Sequence, residues 1–144
     1  VLEMAEKMNE TLRAGESVLF FPEGTTGEGR VLLPFYANLF ASAVATEAEL
    51  IPVVIRYTQK GKVTTIPSYA GNIPLFTVMK RIVFSSGLEA EVQVLEPISS
   101  AGVDRKTLCA QTSAVMSAAL GVPDATAAKE EAVRQRREAA LKHD

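Results

Sequence analysis

The chain has 144 residues, 47% of them hydrophobic and 22% charged, with a formal net charge of −2 at pH 7. This is the size of one domain or part of one, too apolar and too weakly charged to be disordered throughout, and not basic enough overall to suggest nucleic acid. No run of about 18 apolar residues is present for a membrane-crossing helix, and a lone cysteine, Cys109, excludes an intrachain disulfide framework and a cysteine-based zinc site.

Leu2, Ala5, Met8 and Leu12 recur at helical spacing with charged residues between them, and Gly15 suits the stop, which predicts a helix over 2–14. A chain that opens inside a helix, as Val-Leu-Glu-Met does here, is expected to continue a larger fold, N-terminally truncated in these residues. Ser17–Phe21 is a continuous apolar run between Gly15 and Pro22 and reads as a strand buried on both faces. Pro22–Arg30, with three glycines and a proline, is a loop. A second helix is predicted over 34–46, with Pro34 in its first turn. Glu49–Tyr57 is β-rich, and Pro52 within it predicts an edge position or a bulge.

Lys60-Gly61-Lys62 is a turn, Val63–Ile66 a short strand and residues 67–73 a loop. Pro74 opens a helix to about Ser85, broken by Gly87. Its apolar residues with Lys80 and Arg81 fit either a helix lying in a membrane interface or a half-buried core helix, and the latter is the commoner pattern. Glu89–Leu95 alternates as a half-exposed strand does. Asp104 is an N-cap for a helix over 105–120, closed by Gly121 and Pro123. The domain is expected over 1–121, followed by a charged helical tail over 122–144 with a solvated face. Alternating helices and strands predict an α/β fold: a mixed, mostly parallel sheet flanked by helices. A loop following a buried strand is where such sheets bind ligands.

The loop fails two nucleotide-binding patterns. Gly24 and Gly29 have P-loop spacing, but Arg30 and Val31 stand where Lys and Ser or Thr are required. Gly27 and Gly29 are followed by Leu32 where a dinucleotide fingerprint needs its third glycine. What remains is Phe20-Phe21-Pro22-Glu23-Gly24-Thr25-Thr26. Taken alone, Glu23 reads more readily as a solvated loop carboxylate and Gly24 as a turn residue. The apolar strand pattern ahead of them tilts the reading towards a binding site.

These residues resemble the Phe-Pro-Glu-Gly-Thr motif of the PlsC-like glycerolipid (1-acyl-sn-glycerol-3-phosphate) acyltransferases. Leu50-Ile51-Pro52-Val53-Val54 resembles that family's later apolar-proline motif, so the likeness covers about residues 1–120, the C-terminal portion of such a domain. The resemblance implies transfer of a fatty acyl group from acyl-coenzyme A or acyl carrier protein, as co-substrate, to a lysolipid hydroxyl. It implies no cofactor and no metal, a peripheral place on the cytoplasmic face of the inner or plasma membrane, contact with the membrane surface, and no nucleic acid partner. Glu23, Gly24 and Thr25, with Thr26 and Arg30, would bind the acceptor, and Phe21 and Pro22 would position the loop.

Two departures matter. The family's His-x-x-x-x-Asp pair, the general base and its orienting carboxylate, is absent, since the single histidine is His143. It is expected upstream, so no catalytic residue is assigned here, and a catalytically dead acceptor-binding remnant is the alternative. The second departure is Thr26, where many members carry arginine; Arg30 is the nearest substitute cation. Glu-Gly-Thr-Thr-Gly also resembles a bacterial branch that includes lyso-ornithine lipid acyltransferases.

Overall fold

The computed structural model describes residues 2–129 and 131–132. Its elements are α1 (Leu2–Arg13), a 3₁₀ turn (Ala37–Phe40), α2 (Ala41–Thr46), β1 (Val53–Gln59), β2 (Lys62–Val63), α3 (Leu75–Val83), β3 (Leu88–Val94) and α4 (Arg105–Leu120). The helix predicted from Pro34 begins three residues later. Phe35 N donates to Thr126 Oγ1 at 3.0 Å and Tyr36 N to Pro22 O at 2.9 Å, so both amides are committed across the chain and Tyr36 stays extended.

Phe40 is the centre of the core. It meets Phe20 edge-on, with ring centroids 5.3 Å apart, and stacks near Phe35 at 6.3 Å. Leu32, Ala43, Leu108 and Cys109 complete the buried cluster. Full burial of one such side chain stabilises by about 1.5–3 kcal/mol. α4 enters this core although its composition is weakly amphipathic, because caps fix both ends. Asp104 Oδ1 accepts from Lys106 N at 2.8 Å and Thr107 N at 3.3 Å. The Thr107 hydroxyl and these two amides hold the Asp104 carboxyl below its ordinary pKa. At the other end Arg56 Nη2 donates to the carbonyls of Ala119 (3.0 Å) and Leu120 (2.8 Å), where the helix has no internal donors left.

The expected mostly parallel sheet is instead a three-stranded antiparallel one, in the order β2-β1-β3. A hairpin turn at Lys60-Gly61, both with positive φ (51° and 74°), folds β2 back on β1. β3 then returns along the other edge, paired from Val53↔Val94 to Gln59↔Leu88. β1 is therefore central, not an edge. Its ladder starts just after Pro52, which lacks an N–H but accepts from Leu95 N at 2.9 Å. The short strand expected over 63–66 is reduced to Lys62–Val63.

Ser17–Phe21 is also corrected. It runs extended but joins no sheet among the described residues, and only one face is covered. Phe20 packs inward, whereas Leu19 (79% exposed) and Phe21 (73%) face outwards. The start of the charged tail is tied to the domain rather than solvated. Leu32 N donates to Pro123 O, Ala125 N to Leu32 O, and Ser113 Oγ to Asp124 Oδ2 at 2.9 Å.

α3 is the other departure. Only Val78 is buried in it, while Leu75, Phe76, Met79 and Val83 are exposed, so a half-buried core helix does not describe it. One sheet face, bearing Val53, Ile55, Tyr57, Val92 and Val94, is likewise exposed.

Candidate functional site

The Pro22–Arg30 loop leaves the extended segment through a tight turn. Gly24 N donates to Phe21 O at 3.2 Å, with Pro22 and Glu23 at the two central positions. Proline fixes φ for the first of these, and glycine suits the fourth. Gly24 has φ +64°, and a Cβ there would stand 2.8 Å from the Tyr36 ring, so both conformation and space demand glycine.

Glu23 closes the loop on itself. Its Oε2 accepts from Leu33 N at 3.0 Å, a bond across ten residues. Partial burial raises its pKa, and the Leu33 amide pulls the other way. The carboxylate is thus engaged inside the loop rather than presented outwards. Thr25 lies exposed at the crest. The Thr26 hydroxyl donates to the Tyr69 carbonyl, and Ser68 Oγ donates to Gly27 O at 3.1 Å. Arg30 pairs with Glu28 at 3.5 Å, both well exposed, a pairing worth little in water.

The structure accordingly brings Phe21, Pro22, Glu23, Gly24 and Thr26 into one braced turn and sets Arg30 apart on the surface. The bracing partners, the Leu33 amide, Tyr36, Ser68 and the Tyr69 carbonyl, carry no sequence signal, since they are distant in sequence and two of them are backbone groups. His143 lies outside the described residues. The apolar cleft lined by Met8, Leu12, Phe20 and Leu50 holds about 40 Å³. That is room for one or two waters, not an acyl chain.

The Acyltransferase family description matches residues 2–56, a span that includes the whole braced turn. Over these residues the chain is similar to the PlsC-like acyltransferases. It is 33% identical over 115 residues to a lyso-ornithine lipid O-acyltransferase of Pseudomonas aeruginosa, covering 80% of this chain and 45% of that protein. It is 45% identical over 84 residues to a 1-acyl-sn-glycerol-3-phosphate acyltransferase of Neisseria gonorrhoeae, covering 58% of this chain and 32% of that one. A lysophospholipid acyltransferase of Xenopus tropicalis is 30% identical over 126 residues, covering 85% and 23%. The chain spans less than half the length of these curated relatives. No solved structure matches it. Among the described residues the Glu-Gly-Thr turn lies within the span that matches the family description and is braced by side-chain bonds at Glu23 and Thr26. The turn fixes backbone and hydroxyl groups in place, and its one carboxylate does internal structural duty.

Proposed function

We propose that these residues form the acceptor-binding part of an acyltransferase. It moves a fatty acyl group from an acyl-coenzyme A or acyl-carrier-protein thioester to a lysolipid hydroxyl on the cytoplasmic face of the inner or plasma membrane. The observation that carries this reading is the Phe-Pro-Glu-Gly-Thr turn held in a single shape by Glu23, Gly24 and Thr26 in a chain similar to that family. In the reaction the hydroxyl oxygen attacks the thioester carbonyl, the C–S bond breaks, an ester forms and the thiol leaves. A hydroxyl needs a base poised near neutrality to give up its proton. No His-x-x-x-x-Asp occurs in the 144 residues, so in this reading the base comes from outside them. The role of this chain is to hold the acceptor so that its hydroxyl meets that base.

An amino-acid lipid acceptor is favoured over a bare phosphate by one observation. Thr26, in the place where many members carry arginine, is neutral and turned to the Tyr69 carbonyl. The turn itself therefore lacks the two-pronged cation that a phosphate monoester prefers.

The test assays the protein as its own cells make it, with labelled acyl-coenzyme A or acyl carrier protein. Lyso-ornithine lipid and lysophosphatidic acid serve as acceptors. An esterified product is expected, with lyso-ornithine lipid preferred. Glu23→Ala should lower kcat/KM for the acceptor about a hundredfold by displacing the turn. Residues 1–144 alone should transfer at background. Failure to acylate any lysolipid, or indifference to Glu23→Ala, would overturn the reading.

A further inference from the structure

All 17 acidic residues lie outside the segment 50–88, yet five of the 15 basic ones lie within it. A chain of net charge −2 therefore carries a wholly cationic stretch. Arg56 points inwards to cap α4, which leaves Lys60, Lys62, Lys80 and Arg81 exposed. The same segment holds most of the large exposed hydrophobic side chains among the described residues, led by Phe76 (77% exposed) and Phe84 (79%).

The two features share one place. Lys60 N donates to Gly87 O at 3.1 Å and Gln59 Nε2 to Ser86 O at 3.2 Å, so the cationic β1–β2 turn is fastened to the end of α3. The other end of α3 starts six residues after Tyr69, the carbonyl partner of Thr26 in the Glu-Gly-Thr turn. An apolar helix face beside four exposed cations gains from both the acyl boundary and the headgroups of an anionic lipid surface, with Glu89 and Glu91 on β3 the acids that follow the segment. At nine residues and with Lys80 and Arg81 in its last turn, α3 is too short and too charged to cross a bilayer.

We infer that α3 and the Lys60–Lys62 turn form a docking face for an anionic phospholipid bilayer. Phe76, Val83 and Phe84 enter the acyl boundary, and Lys60, Lys62, Lys80 and Arg81 lie on the headgroups. This deepens the lysolipid reading and rests on it for the presence of a bilayer at the site. It puts the acceptor turn beside the surface from which a lysolipid is drawn.

The experiment uses vesicles without an acyl donor, so it succeeds or fails independently of transfer. The full protein is sedimented with vesicles of phosphatidylcholine alone or mixed equally with phosphatidylglycerol. Binding should rise at least about tenfold with the anionic lipid. Lys80→Ser with Arg81→Ser should lower it about 30-fold on the anionic vesicles, and Phe76→Ser with Phe84→Ser about tenfold or more. Phe76→Trp in the full protein gives a local fluorescent probe whose emission, taken as the difference from the parent, should shift to the blue only when anionic vesicles are added.

Three results would overturn the inference: binding indifferent to phosphatidylglycerol; no blue shift in the Phe76→Trp variant while it is bound to vesicles; or an oligomer in the absence of lipid that Phe76→Ser with Phe84→Ser dissolves. The last would assign the face to a second copy.

Discussion

α4 and α3 reverse what their sequences suggest. α4 is rich in alanine, serine and threonine with no marked apolar stripe, yet it carries the core through Leu108 and Cys109. α3 is strongly amphipathic, yet buries only Val78. The difference lies in tethering. α4 is held by Asp104, Arg56 and the Ser113–Asp124 bond against the Phe35–Phe40 cluster. α3 is fastened near its end through the Lys60 and Gln59 bonds, and most of its apolar face stays open among the described residues. Apolar content sets how much a helix gains from cover; the surrounding backbone and caps decide whether cover is supplied.

Substitutions can break that contrast. Phe40→Ala should cost about 3–5 kcal/mol in urea unfolding, whereas Phe76→Ala should change it by no more than about 0.5 kcal/mol. Equal losses would show that α3 is packed in solution. Arg56→Met keeps the apolar stem but removes both hydrogen bonds to the C-terminal carbonyls of α4, and should cost about 1.5–3 kcal/mol by the same measurement. In the site, Gly24→Ala should cost about 1–2 kcal/mol from its positive φ, and more from the Tyr36 ring. Gly29→Ala has positive φ without a neighbour and isolates the first contribution. Adding Tyr36→Ala to Gly24→Ala should recover the excess.

The smallest effect is titration. Glu23 has a raised pKa in the fold, so ionising it opposes folding. That opposition is absent well below the ordinary value of 4.5 and is present in full once pH has passed the raised value. Glu23→Gln cannot ionise, so its stability relative to the parent should improve as pH rises through that window. Melts across the acidic range would show it. Asp104 has the opposite sign: its lowered pKa stabilises the fold above 3.8, and this is lost as pH falls through the lowered value. Asp104→Asn should therefore differ from the parent at neutral pH and converge with it in strong acid.

Much of this was legible in the sequence where the signals are local. Gly15, Asp104 and Gly121 mark helix ends, and Phe-Pro-Glu-Gly-Thr marks the site. Sheet direction was not, because pairing β1 with β3 joins residues about 40 apart and nothing in either strand encodes its partner's direction. Ser17–Phe21 misled because an apolar run looks the same whether one face is covered or two. Within the site, Glu23 was legible as a residue but not as a bond, because the Leu33 amide that it meets is backbone.

Arg56 also settles an ambiguity in β1. That strand carries exposed Val53, Ile55 and Tyr57 on one face and Val54, Arg56 and Thr58 on the inward one. A slip of one residue would turn the three apolar residues inwards, so hydrophobicity alone does not select the observed alignment. Only one alignment delivers a guanidinium to the Ala119 and Leu120 carbonyls. Arg56 thus acts as the strand's registration pin. With it gone, the alignment of β1 would be left to the Lys60-Gly61 turn and the Lys60–Gly87 and Gln59–Ser86 bonds.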